Sequence, residues 1–268
     1  MTTRVGFVGL GNIGKPMALR LAAAEDIDLT VYDVLPGPVA DLEAAGATAA
    51  ADVAAIEADV VCVMVRDDDQ VRSVATDLRP GTVLVIHSTV GPGTPAELAA
   101  EGLTVLDAPV SGGPMGAADG SLAIMVGGSD EAFATARSAL DALGSKVVHA
   151  GPLGAGTRMK LARNLIHFVA FTAVTEAQRL AEAAGLDLVE LGEVVRHTDR
   201  ITGGPGAIMY RDTTAPIPED DFWYGVLWHV RALGEKDLTH AIALAEELGV
   251  DVPLAREALP RLGKGLGL

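Results

Sequence analysis

With 268 residues, 49% hydrophobic but only 4% aromatic, the chain is long enough for a sizeable aliphatic core spread over two domains. Its 36 acidic and 20 basic side chains give a formal charge of −16, which argues against nucleic acid and against anionic membranes, both of which select for a surplus of Lys and Arg. The one cysteine, Cys62, lies in the apolar run VVCVMV, reads as a buried small hydrophobe and excludes an internal disulfide.

The opening residues MTTRVGFVGLG go straight into a strand pattern, and no run approaches the ~18 apolar residues of a membrane helix, so a cytoplasmic protein is expected. Apolar runs then predict strands at Val5–Gly9, Leu29–Tyr32, Val60–Val65, Val83–His87, Thr104–Leu106, Ala123–Val126 and Val147–His149. Helical patterns such as Ile13–Ala24 and Val39–Ala45 fall between the early ones. Continuous apolar strands alternating with helices indicate an α/β fold, a doubly wound and mainly parallel sheet covered on both faces. After Gly151–Pro152 the texture changes. From Thr157 to Ala184 there is neither Pro nor Gly, and helical spacing continues over 28 residues. Further helices are expected at Leu188–His197, at Tyr224–Leu248 and after Pro253, with a Gly- and Pro-rich connector over 201–221. The reading is a domain over 1–152 and an all-α domain over 153–268, entered by the long helix.

Gly9, Gly11 and Gly14 form a G-x-G-x-x-G spacing between the first strand and the first helix. There the glycines permit a tight turn and close approach of a pyrophosphate to a helix N-terminus. Asp33 ends the next strand, where a carboxylate accepts hydrogen bonds from ribose hydroxyls and repels a 2′-phosphate, favouring NAD over NADP. Ligands of parallel sheets bind beyond the carboxyl ends of strands, which adds Val65, Arg66 and Thr89 as cofactor neighbours. The acidic run Asp67–Asp69 reads as a helix start.

Lys160 and Asn164 stand four residues apart at the start of the long helix and share a face. Hydride transfer from an alcohol needs a base for the hydroxyl proton, and a lysine whose pKa is lowered by burial can serve. The stretch DAPVSGGPMGAADGSLAIMVGG, 107–128, sets Ser111 beside Gly112 and Gly113 where a strand ends, either as a plain turn or as a pocket where backbone approaches a small ligand.

Taken with GFVGLGNIGKPMA, GAGTRMKLARN and KDLTHAIALAEELGVDVPL, this stretch resembles the β-hydroxyacid dehydrogenase family, of 3-hydroxyisobutyrate dehydrogenase and tartronate semialdehyde reductase type, over nearly the whole chain. The resemblance implies a Rossmann domain, an all-α second domain, and an oxidoreductase moving hydride between NAD(P) and a small 3-hydroxy carboxylate or its semialdehyde. It implies Lys160 as catalytic acid/base with Asn164 beside it, Ser111, Gly112 and Gly113 on the substrate carboxylate, and Lys236 near the cofactor. Gly9, Leu10, Gly11, Asn12, Ile13, Gly14, Val65, Arg66 and Thr89 map onto the family's cofactor contacts.

The chain departs from the pattern at Arg163, where the family commonly has Asn, at the Val65–Arg66 turn, often an apolar turn in the family, and at His229, where many members have Phe in the substrate pocket. His229 is either a packed surface histidine or a group that polarises the pocket. Trp223, Tyr224 and Trp228 read as core filling under the long helix. No spacing resembles metal ligands, so no metal is expected. The apolar second domain suggests a homodimer or homotetramer. A reductase of another carbonyl or an imine, and a nucleotide-binding homologue without turnover, are the alternatives.

Overall fold

The computed structural model describes residues 2–209 and 213–268; Met1 and Tyr210–Asp212, the latter inside the Gly- and Pro-rich connector, lie outside the described residues. The chain divides into two compact units, Met1–Arg163 and Asn164–Leu268.

The first unit runs β1 (Thr3–Val8), α1 (Gly14–Ala22), β2 (Ile27–Tyr32), α2 (Pro36–Ala44), β3 (Thr48–Ala49), β4 (Val60–Val63), α3 (Asp68–Thr76), β5 (Val83–Ile86), α4 (Thr94–Ala100) and β6 (Thr104–Asp107). Then come β7 (Val110–Ser111), α5 (Gly113–Asp119), β8 (Ala123–Gly127), α6 (Asp130–Leu143), β9 (Lys146–Gly151) and the start of α7 (Ala155–Ala183). Strands β3-β2-β1-β4-β5-β6 lie side by side and parallel, followed by β8, which is antiparallel to β6 and β7 and parallel to β9.

This is the Rossmann-type order, and its direction reverses between β1 and β4. All four residues of β4 and of β5 are buried, because helices cover both faces. On one face Phe7, Cys62, Val85 and Leu106 pack against Met17 and Leu21 of α1 and Leu140 and Leu143 of α6. On the other, Val63, Leu84 and Ile86 pack against Val71 and Val74 of α3 and Leu98 of α4. Each such fully buried aliphatic side chain contributes about 1.5–3 kcal/mol relative to its exposed state.

The boundary between these two compact units falls within α7. The first turns of α7 are seated on the sheet: a Cβ at Gly156 would lie 2.1 Å from the Met125 carbonyl oxygen.

The second unit is helical: the rest of α7, then α8 (Leu188–Thr202), α9 (Phe222–Leu248), α10 (Pro253–Ala258) and α11 (Leu262–Leu266). Asp187 and Asp221 cap the starts of α8 and α9. Glu176, buried on α7, accepts hydrogen bonds from the N–H groups of Leu254 and Ala255 at the start of α10. The core here is small, with Ile217, Leu227 and Leu266 buried and Tyr224 packed on them.

One expectation needs correction. Tyr224 helps fill this core, but Trp223 and Trp228 are 42% and 52% exposed. Trp223 meets Phe222 edge to face at 5.3 Å between ring centroids, and Trp228 lies under the Arg231 guanidinium at 6.0 Å. Among the described residues no helix is long and apolar enough to cross a membrane.

Candidate active site

The glycine loop links β1 to α1 at the point where the strand order reverses. Gly9 has φ +94, and a Cβ there would stand 2.3 Å from the Met64 carbonyl oxygen; at Gly14 it would stand 1.9 Å from that of Gly9. Side chains at either position would force β1, β4 and α1 apart. At Gly11 an added Cβ meets nothing within 4 Å, so the loop is open to an incoming group there.

Beyond it lies a cleft of about 790 Å³, within the size range of cofactor sites. Gly9, Gly11, Asn12, Ile13, Gly14, Asp33, Val65 and Arg66 line it, joined by Tyr32, Asp52 and Asp77. Leu10 of the loop is buried, and its N–H donates to Asp33 Oδ2 at 2.6 Å, while the Leu35 N–H donates to Oδ1 at 2.8 Å. Both carboxylate oxygens are thereby fixed and keep further lone pairs for other donors.

The β4 turn is pinned by a residue that sequence reasoning missed. Ser88 Oγ, buried at the end of β5, accepts from the Val65 N–H at 2.9 Å and donates to the Val65 carbonyl at 2.8 Å. Thr89, the residue singled out from the sequence, stands exposed next to it and does not line the cleft. Arg66 is exposed and pairs with Asp67 at 3.4 Å. Asp67 caps α3 as expected of a helix start, and Asp68 adds a tie to the next loop, accepting from Gly91 N–H at 2.8 Å and from the Thr94 hydroxyl. That hydroxyl holds the Asp68 carboxyl below its usual range.

Lys160 and Ser111 meet across 49 positions of sequence. The Lys160 ammonium, in a residue only 8% exposed, donates to the Val110 carbonyl at 2.5 Å and to Ser111 Oγ at 2.8 Å. Burial, and secondarily the charge of Arg163, lowers its pKa from the ordinary lysine value. The turn after Ser111 is built on glycine: Gly112 has φ +137 and Gly113 +64, values that disfavour any side chain. Asn164 follows Lys160 by one helical turn on α7. His229 and Lys236 belong to the second unit, where they stand exposed seven residues apart on α9, Lys236 beside Asp237 at 3.1 Å.

Two further buried groups surround this corner. Asp107, fully buried at the end of β6, accepts from the Gly154 N–H at 2.7 Å and the Thr157 N–H at 2.6 Å, capping α7 from the sheet. His87, at the end of β5, donates from Nδ1 to the Ala108 carbonyl at 2.9 Å, and burial pushes its pKa down to about 4.

His87 carries a pH prediction. Unfolded, it takes a proton near 6.5, but folded only near about 4, so below pH 6.5 the unfolded state binds more protons. Stability therefore falls as pH drops through that window, by up to about 3 kcal/mol. In a His87→Gln chain the melting temperature should fall less steeply between those pH values; an equal slope would assign the acid sensitivity to other groups. Among the described residues no cluster of three or more His, Cys, Asp or Glu could hold a metal ion.

A glycine loop at the reversal point of a parallel sheet, with a carboxylate at the end of β2, defines a dinucleotide-binding domain. A family model described as the NAD binding domain of 6-phosphogluconate dehydrogenase matches residues 4–151, and one described as the NAD-binding domain of NADP-dependent 3-hydroxyisobutyrate dehydrogenase matches 154–260. The chain belongs to the 3-hydroxyisobutyrate dehydrogenase family. It is 52% identical to an uncharacterized oxidoreductase of Mycobacterium tuberculosis, over 100% of this chain and 94% of that one. It is 35% identical to the NAD-dependent L-serine dehydrogenase of Pseudomonas aeruginosa, over 95% and 85%. A protein of Mycobacterium avium 104 known from its crystal structure is 48% identical, with a TM-score of 0.95 and 99% of each chain covered.

Proposed function

We propose that the chain oxidises a small 3-hydroxy carboxylate to its semialdehyde with NAD, and reduces the semialdehyde on the same residues. The observation that carries this reading is the buried Lys160 amine hydrogen-bonded to Ser111 Oγ beside two glycines of positive φ. An anion fits such a turn because bare backbone N–H groups converge on it, and the substrate carboxylate is assigned to Ser111, Gly112 and Gly113. Its hydroxyl then falls to Lys160, which takes the proton as the carbon–oxygen double bond forms. Asn164 orients the oxygen without adding charge. Bound NAD supplies the hydride acceptor. Lys236 is assigned to the cofactor and His229 to substrate selection. The P. aeruginosa relative, by its name, uses NAD on L-serine, itself a 3-hydroxy acid.

The cleft's charge favours NAD over NADP. Asp33, Asp52 and Asp77 line it, and its one cation among the described residues, Arg66, is paired with Asp67. The segment Asp33–Asp41 contains no Lys or Arg, and Lys15 is engaged by Asp41 at 2.5 Å. Among the described residues, a 2′-phosphate therefore meets carboxylates with no dedicated cation. Asp33→Ala should reduce the NAD-over-NADP ratio of kcat/KM by about tenfold, the scale of one charged hydrogen bond; an unchanged ratio would remove Asp33 from the ribose. Absorbance at 340 nm, with both cofactors and a panel of 3-hydroxy acids and semialdehydes, tests the whole reading. Silence with every acid would overturn it.

A further inference from the structure

We propose that His87 is a positioning residue for Lys160: its imidazole holds the Ala108 carbonyl, and with it the turn whose Val110 carbonyl and Ser111 hydroxyl aim the lysine amine. The inference rests on the reading of Lys160 as acid/base just given, and goes beyond it by assigning what keeps that base in place.

Strand β5 has β4 on one side and β6 on the other, and the residues at its end reach both ways. Toward β4, Ser88 Oγ ties both backbone groups of Val65, which lines the dinucleotide cleft. Toward β6, the Ala108 N–H donates to the Ile86 carbonyl at 2.8 Å, and the Ala108 carbonyl accepts the His87 Nδ1–H at 2.9 Å. Val110, whose carbonyl accepts from Lys160 at 2.5 Å, lies two residues on, with Ser111 after it. Pro109 between them has no N–H to donate, and its carbonyl accepts from the Met125 N–H at 3.1 Å. Consecutive residues of one strand end thus fix both the turn that borders the cofactor cleft and the turn that carries the acceptors of the base. Hydride and proton leave neighbouring atoms of one substrate, so the spacing of those two turns governs the reaction.

The chemistry of His87 points the same way. A carbonyl can only accept, so Nδ1 carries the proton and Nε2 is a bare acceptor. Nε2 is buried, with no hydrogen-bond partner among the described residues. The side chain is 1% exposed, and its ring lies 14° from parallel to that of Phe7, with 6.5 Å between centroids. An apolar side chain would fill this site without leaving an acceptor unsatisfied. The imidazole therefore opposes the packing of the core and is accounted for by its one bond; choices of that kind concentrate at functional sites. Because burial pushes its pKa down to about 4, it makes that bond as a neutral ring and brings no charge with it.

The test compares wild type with H87L, which removes the donor, H87N, which returns a donor the same number of bonds from Cα, and S88A, which cuts the tie on the other side of β5. In H87L, kcat for 3-hydroxy acid oxidation should fall roughly 10- to 100-fold, the scale for a reacting group displaced by up to about 1 Å, with the KM for NAD near that of wild type. H87N should recover most of that kcat. S88A should instead raise the KM for NAD more than it lowers kcat. A lower melting temperature in H87L with kcat unchanged would overturn the proposal, as would a loss of kcat that a folded H87N does not recover. Acetylation of lysines, read peptide by peptide by mass spectrometry well below the melting temperatures, needs no turnover. Lys160 should react faster in H87L than in wild type and return toward wild type in H87N, while Lys236, exposed in its own unit, reacts alike in all three. Equal rates at Lys160 in wild type and H87L would overturn the proposal. Wild type silent with every hydroxy acid, but with Lys160 released in H87L, would uphold the positioning role and remove the dehydrogenase reading instead.

Discussion

Lys160→Ala should lower kcat by about 10²–10⁴-fold, the usual contribution of a positioned acid/base, with NAD affinity close to wild type. The two effects separate because Lys160 belongs to the corner formed by Val110 and Ser111, whereas the dinucleotide cleft is lined by the β1 and β4 turns and Asp33. To accept a proton the amine must be neutral, and burial together with the Arg163 charge moves its pKa down from the lysine value of 10.5. The sign follows. Oxidation should accelerate as pH rises through the lowered pKa, and semialdehyde reduction, which needs the ammonium, should slow over the same range. Lys160→Arg keeps the charge but cannot release its proton near neutrality, so it should rescue little. Initial rates at 340 nm for the three proteins across pH check this; an alanine variant retaining most of its turnover would remove Lys160 from the proton path.

The parallel sheet was readable because its strands are continuous apolar runs. Val60–Val63 and Val83–Ile86 are buried on both faces and punctuated by helical stretches. Ends were less readable. The run through Val65 looked like strand, but the ladder ends at Val63 because Ser88 takes both backbone groups of Val65. Helix α2 starts at Pro36, a residue suited to a first helical turn, ahead of the apolar pattern that begins at Val39. The two-residue strands β3 and β7 are too short to show a period. Of the site, the local parts were legible: the glycine spacing, Asp33 at its strand end, and Lys160 with Asn164 one turn apart. What was not legible is what joins distant segments. Ser111 had no base near it in sequence, and Lys160 reaches it only because the antiparallel β7–β8 pair returns the chain beside β9 and α7. Ser88, His87 and Asp107 were passed over for the same reason. Trp223 and Trp228 were misjudged because helical periodicity says that a face is apolar, not what covers it.

Asp107→Ala should be the most damaging substitution outside the proton path. The carboxylate is fully buried and is the acceptor for two N–H groups of α7's first turn, Gly154 and Thr157. Without it, both donors stay buried beside the sheet with little room for water. A Cβ at Gly127 would stand 2.4 Å from Asp107 Oδ1 and 2.8 Å from the amide nitrogens of Ala155 and Gly156. Two orphaned buried donors cost about 2–5 kcal/mol in total, or a melting temperature lower by on the order of 10 °C for a chain of this size. The damage should extend to turnover, because Lys160 lies one turn beyond Thr157 and is aimed at Ser111 by the seating of that turn. Asp107→Asn separates the two effects. One of its oxygens can still accept, but its amide nitrogen faces an N–H donor, so it should recover part of the stability and less of the kcat. Melting curves and kcat of the two variants side by side decide the matter. An alanine variant as stable as wild type would mean that packing of α7 on the sheet, and not the cap from β6, holds the helix in place.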